Sequence, residues 1–309
     1  MAIMNTPLPK LYPFINASSG SNINMERAEW LKASIPADRL GEIMVVGKHD
    51  NFSRLQKVCI DKCLANKGIL LLSGGDGTVS GFLDLLHRTQ LPFALLPSGT
   101  FNLFARDNGI PLEAEAALQL ALTQPPRPIS MGCINDTPFI VSASMGLHTT
   151  IIEHREKATR RFGRNRLIAM LSSLWTAFNY IRPFRVTVIS NATTRQVTTP
   201  MILASLSRSQ LEPAGVPCSD DLRDNSLLLF MVKATNWREL LGLLYTGLVH
   251  TLENDERAAI TETRHTTIEF RRERIKVSLD GELFKMQTPL HIRFIPNALQ
   301  FIGAAPGSQ

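Results

Sequence analysis

The chain is short of the features that mark secreted, metal-knotted and membrane-spanning proteins. Its four cysteines, Cys59, Cys63, Cys133 and Cys218, have neither the paired spacing of a zinc site nor the density of a disulfide framework. They are expected to stay reduced. No apolar run reaches the roughly 20 residues that a spanning helix requires; the longest candidate, LIAMLSSLWTAFNYI, stops short and carries Asn179. The opening MAIMNTPLPKLYPF lacks a basic segment followed by a continuous apolar core, so no secretory signal is read and a cytoplasmic location is expected. Internal repeats and low-complexity segments are missing too. So is the Walker pattern GxxxxGK[ST], and the dinucleotide fingerprint fails at its third glycine, where Ser80 stands.

What is present is a chain of 309 residues, longer than one compact core and therefore expected to hold two domains. Thirty-three basic against 27 acidic residues leave a net charge of +6. That mild excess suits an anionic ligand or lipid surface and equally an ordinary solvated basic face. No nucleic-acid partner is expected, and oligomeric state stays open, a homodimer included.

Apolar strands and helices alternate through the first part: KLYPFIN, a helix near MERAEWLKAS, EIMVVG, a helix from about Ser53 to Ala65, GILLLS, VSGFLDLLHRT, PFALLPS and FNLFARDN. Continuous apolar strands between helices predict a parallel sheet covered on both faces. The proline-rich TQPPRP, residues 123–128, marks a boundary, placed so that residues 1–125 form an α/β domain and 126–309 a β-rich one. The last strand is free to return to the first domain. Beyond the boundary, PFIVSAS, RVTVIS, PMILASL, SLLLFMVKA, TTIEFRR, RIKVSLDG and PLHIRFIP predict an antiparallel sandwich or barrel, interrupted by helices near 165–180 and 236–252.

The stretch SGGDGT, residues 73–78, ends a strand and opens a helix, leaving backbone N–H groups available to an anion such as phosphate. Glycine at 74, 75 and 77 lets a bulky ligand approach bare backbone, and Thr78 can cap the helix or donate to a phosphate oxygen. Asp76 is repelled by a polyphosphate unless it binds the accompanying metal or takes a proton from an attacking hydroxyl. A tight structural connection at the sheet edge fits the same residues. A second glycine turn, Gly99 and Thr100 in LLPSGTFNLFARDNGIP, falls on the same carboxyl edge of the sheet, and two adjacent anion sites fit a polyphosphate. Far downstream, Asp280 and Gly281 read as a hairpin turn. Glu282 is then a carboxylate at its tip.

GGDGT, LPSGTFNLFARDNGIP and VSLDGE together resemble the diacylglycerol kinase catalytic-domain family, and FINASSGS is similar to that family's opening strand and turn. The resemblance implies a three-layer α/β nucleotide-binding domain like that of NAD kinases and phosphofructokinases, followed by an antiparallel β-sandwich domain. It implies transfer of the γ-phosphate of ATP to a lipid hydroxyl with Mg2+. Carried over by position, Asn16, Gly74, Gly75, Asp76, Gly77, Thr78, Val79, Ser80 and Thr100 would hold the nucleotide. Glu282 would accept the proton, with Asp76 able to exchange roles with it. A structural magnesium site is implied at DDLRDNSLLLF, with Asp221, Asp224 and Ser226 as ligands, although Asn225 and Ser226 depart from the family pattern. Gly81 and Leu103 also replace residues that are acidic in the family.

Two rivals follow from the same residues: an NAD kinase, which shares GGDGT, and a catalytically silent lipid- or nucleotide-binding protein. The basic HREKATRRFGRNR, residues 154–166, and the apolar helix after it, with Trp175 and Phe178, fit either an anionic inner membrane surface or a solvated loop beside a core helix.

Overall fold

The computed structural model describes residues 8–17, 24–47, 49–162, 181–190 and 193–304. The turn at 17–22 and the basic-then-apolar stretch at 154–180 fall largely outside the described residues. The chain divides into two units, residues 1–129 with 297–309, and residues 130–296.

The first unit alternates strands and helices: β1 (Leu11–Asn16), α1 (Asn24–Ser34), β2 (Met44–Val46), α2 (Phe52–Ala65), β3 (Ile69–Gly74), α3 (Asp76–Thr89), β4 (Phe93–Pro97), α4 (Leu103–Asp107) and α5 (Ala114–Thr123). The strands lie in the order β2-β1-β3-β4, every pair parallel. Leu70, Leu71 and Leu72 are all fully buried, which is why the strand reads as a continuous apolar run and not an alternating one. Edge-to-face aromatic packing ties helices to the sheet: Phe82 of α3 meets Phe14 of β1 with ring centroids 4.8 Å apart. The end of a long strand, β16 (Leu290–Ile302), completes the sheet by pairing in parallel with β4, Phe301 opposite Phe93. Phe301 then sits 4.9 Å from both Phe93 and Phe104.

Chain enters the second unit through β5 (Arg127–Ile134) and continues with β6 (Thr137–Phe139), β7 (Ser142–Gly146), α6 (Leu147–Phe162), β8 (Phe184–Ser190), β9 (Thr193–Thr199), β10 (Met201–Ser205), α7 (Arg208–Leu211), β11 (Leu227–Val232), α8 (Trp237–Val249), β12 (Ala258–Thr263), β13 (His265–Phe270), β14 (Arg274–Leu279) and β15 (Glu282–Gln287). An antiparallel sheet runs β12-β11-β10-β7-β14-β15, and β13 pairs antiparallel with β8 and with β16. Met145, Ile202, Leu229 and Val277 of the first layer share one core with Val186, Ile268 and Ile292 of the second. Two layers around one core are the sandwich expected from the sequence.

The sequence reading needs three corrections. PFIVSAS is not one strand: it breaks at Ile140 and Val141, whose amides both donate to the Asp280 carboxylate. Helix α3 begins at Asp76, three residues before the apolar stretch that announced it, so Thr78, Val79 and Ser80 lie within the helix. Helix α4 is shortened to Leu103–Asp107 because Asn102, before it, takes a left-handed φ of 50°.

Candidate active site

Strand β1 lies between β2 and β3, so the chain crosses to one side after β1 and to the other after β2. The carboxyl ends of β1 and β3 border the point where strand order reverses, the usual ligand position in open α/β sheets. Asn16 ends β1, and its Nδ2 donates to Thr78 Oγ1 at 3.0 Å. Thr78 is buried and lies over Gly74, where an added Cβ would sit 2.2 Å from Thr78 Oγ1. Gly74 is therefore glycine for packing.

Gly75 caps α3 without a side-chain hydrogen bond. The amides of Thr78 and Val79 both reach the Gly75 carbonyl, at 2.9 and 3.3 Å. Those of Asp76 and Gly77, earlier in the turn, have no helix carbonyl behind them. A Cβ at Gly77 would meet nothing within 4 Å. Open space thus lies directly over the start of the helix.

The two glycine turns touch. A Cβ on Gly75 would come within 2.8 Å of the Gly99 Cα, and one on Gly99 within 2.7 Å of the Gly75 Cα, so neither position accepts a side chain. The Ser98 amide donates to the Gly74 carbonyl at 2.9 Å, joining the turns further. Asn102 shapes the second turn: its Oδ1 accepts from the Gly99 amide at 2.9 Å and its Nδ2 donates to the Gly99 carbonyl at 3.0 Å. This residue escaped the sequence reading. An asparagine three residues after a turn glycine, suited to positive φ, was the available signal.

Asp76 reaches across the same junction. Its Oδ2 accepts from the Leu103 amide at 3.1 Å and its Oδ1 from the Phe104 amide at 2.9 Å, so the carboxylate staples the first turn of α4 to the start of α3. Burial pushes its pKa above the usual carboxylate range, and the nearby Asp107 charge adds to the rise, while the two amides oppose it. Each oxygen takes one of these two amides and keeps capacity to accept again. Of the other residues singled out from sequence, Val79 is fully buried in the core, Ser80 is half-buried on α3, and Thr100 is exposed beside Gly99. Gly81 lies against the Phe52 ring, and its carbonyl accepts from Gln56 Nε2 at 2.7 Å.

In the second unit, Asp280 and Gly281 form a two-residue turn with φ of 48° and 92°, and Leu279 pairs with Glu282 across it. Positive φ at both positions is the geometry that matches strand twist in a tight hairpin. The Asp280 carboxylate accepts from the amides of Ile140, Val141 and Ser142 at 2.9, 2.9 and 3.0 Å. Glu282, next along, is exposed at the start of β15.

The loop of Asp221, Asp224 and Ser226 does not fit a divalent cation. The Asp221 carbonyl accepts from two amides, Asn225 at 2.8 Å and Ser226 at 3.1 Å, and the Ser226 carbonyl accepts from the Arg223 amide at 2.9 Å. The Asp221 carbonyl thus has both lone pairs engaged, and the Ser226 carbonyl has one. Asp224 is exposed, and among the described residues no group of three or more His, Cys, Asp or Glu side chains could hold a metal.

Comparison with known proteins agrees with this geometry. The profile of the diacylglycerol kinase catalytic domain matches residues 10–134, the span that carries both glycine turns. A protein of Mycobacterium tuberculosis (strain H37Rv) named "Diacylglycerol kinase" is 28% identical over 243 residues, covering 75% of this chain and 76% of that one. A protein of Pseudomonas aeruginosa (strain UCBPP-PA14) named "Probable lipid kinase YegS-like" is 34% identical over 126 residues, 40% of this chain and 41% of its own. Among solved structures, a diacylglycerol kinase from Bacillus anthracis shares the fold with a TM-score of 0.68, at 17% identity, over 97% of this chain and 98% of that one.

Proposed function

We propose, from the match of residues 10–134 to the diacylglycerol kinase catalytic domain, that this chain is a kinase of that family and transfers the γ-phosphate of ATP to a lipid hydroxyl. Diacylglycerol or a related lipid is the acceptor. One observation carries the reading: two glycine turns in backbone contact, with open space above Gly77 at the start of α3.

Phosphoryl transfer asks a protein mainly for positioning and charge neutralisation. In the proposed mechanism the Asp76 and Gly77 amides and the backbone at Gly99 receive the phosphates. Asn16 fixes the Thr78 side chain at the edge of this cradle. Magnesium arriving with the nucleotide would neutralise phosphate charge. One carboxylate, that of Asp76, together with phosphate oxygens is a donor set that suits it. Asp76 also keeps the two turns in register through its bonds to the Leu103 and Phe104 amides. Glu282 is assigned as the proton acceptor for the lipid hydroxyl. Two backbone amides already draw on Asp76, which favours holding over proton exchange.

A lipid acceptor calls for contact with a bilayer, so peripheral association with an anionic membrane surface is part of the proposal; among the described residues no helix is long and apolar enough to cross a membrane. The deciding experiment incubates purified protein with γ-labelled ATP, magnesium and a lipid panel. Label in a chloroform-soluble product is expected. Label on NAD, or on no acceptor at all, overturns the reading.

A further inference from the structure

The loop that fails as a magnesium site is closed by other means. Arg264 occupies the one-residue connection between β12 and β13, where the chain passes from one layer of the sandwich to the other. Its Nε donates to the Asn225 carbonyl at 2.7 Å and its second guanidinium nitrogen to Asn225 Oδ1 at 3.3 Å. Asn225 in turn donates from Nδ2 to Asp221 Oδ1 at 2.8 Å. A cation is thereby linked through one amide side chain to the Asp221 carboxylate. On the other flank Glu262 accepts from Ser226 Oγ at 2.9 Å, from Ser219 Oγ at 2.7 Å and from the Ser219 amide at 3.2 Å. Glu262 and Arg264 stand two residues apart and hold the two sides of the same loop.

We infer that the Arg264 guanidinium takes over the tying role that the family resemblance assigns to a divalent cation, so that the loop 219–226 closes without metal. The substitution is chemically coherent. A divalent cation draws carbonyls and carboxylates together by coordination, whereas a planar guanidinium does so with directed N–H donors and a charge that cannot be titrated away. Asn225 supplies both ends of the link: an Oδ1 for the guanidinium and an Nδ2 for Asp221. The carbonyls of Asp221 and Ser226 are then free to be used by backbone amides, as observed.

The test needs neither ATP nor lipid, so its outcome is separate from that of the kinase reading. Nucleotide-free protein is stripped with EDTA and titrated with magnesium chloride alone while thermal unfolding is recorded. An ion that binds the folded state raises Tm by mass action. The expected result is a wild-type Tm that does not respond to magnesium. Arg264→Met is expected to lower Tm by about 2–4 °C, equally with and without magnesium. Arg264→Lys, which keeps the charge but not the planar fork, falls between the two. A magnesium-dependent rise of wild-type Tm would overturn the inference, and so would an Arg264→Met protein as stable as wild type.

Discussion

The chain uses the dipeptide Asp-Gly twice, and the two uses differ in what the glycine does. At Asp76–Gly77 the pair opens a helix, the carboxylate collects two amides from the next βα unit, and the glycine faces open space. At Asp280–Gly281 the pair turns a hairpin, the carboxylate collects three amides from the break between β6 and β7, and the glycine holds a φ of 92°. Both aspartates act on backbone far away in sequence. Both glycines face open space, but only the first stands at a helix start, whose backbone amides can receive an anion; the second stands at a hairpin tip beside Glu282.

The sharpest way to break the comparison is to remove each carboxylate. Asp280→Ala strands three amides, all on buried residues, Ile140, Val141 and Ser142, and is expected to cost about 3 kcal/mol or more in urea unfolding. Asp76→Ala strands two and is expected to cost about 2 kcal/mol while reducing lipid phosphorylation at least about 100-fold. If it lost stability but kept turnover, the turn would be structural in both places.

The glycines give the next contrast. Gly281→Ala forces a side chain into positive φ and should cost about 1 kcal/mol. Gly77→Ala meets no atom within 4 Å and should leave stability within about 0.5 kcal/mol, yet weaken ATP binding measured by calorimetry. Equal affinity for ATP in both variants would remove Gly77 from the phosphate site.

The smallest effect is a pH dependence. Burial raises the Asp76 pKa, so the unfolded chain, with an ordinary value near about 3.9, ionises first as pH increases. Asp76 therefore contributes most below that ordinary value, and part of its contribution is lost as pH rises through the raised one. The stability gap between wild type and Asp76→Asn should narrow from about pH 3.5 towards pH 7 in urea unfolding, with the ordinary carboxylate value as the lower edge of the window. A gap that widens instead would mean that the two amides outweigh burial.

How legible these features were depends on how local their causes are. Strands β1, β3 and β4 announce themselves because both faces are buried and nearly every residue is apolar, Asn16 and Ser73 standing at their carboxyl ends. Strand β9, TTRQVTT, pairs with β8 alone among the described residues and is mostly exposed, so its polar residues carry no alternation to read. Strand β5 hides behind Arg127 and Pro128 in a segment that looks like a linker. At the candidate site the neighbouring glycine turns could be read because a parallel sheet puts both on one edge. The bond from Asp76 to the amides of Leu103 and Phe104 could not, since nothing in either segment encodes the other's position. At the loop 219–226 the departures Asn225 and Ser226 were visible in the sequence; the partner of Asn225, Arg264, lies 39 positions away and was not.

The long strand β16 has a consequence for how the protein must be made. Its final residues, from Asn297, belong to the first unit, where Phe301 packs against both Phe93 and Phe104. A ribosome that has finished residues 1–129 has therefore not yet delivered a complete unit, and the β4 edge waits unpaired through the synthesis of the whole second one. Cutting the gene at the apparent boundary would yield a fragment with an open sheet edge and a vacated aromatic socket, prone to self-association.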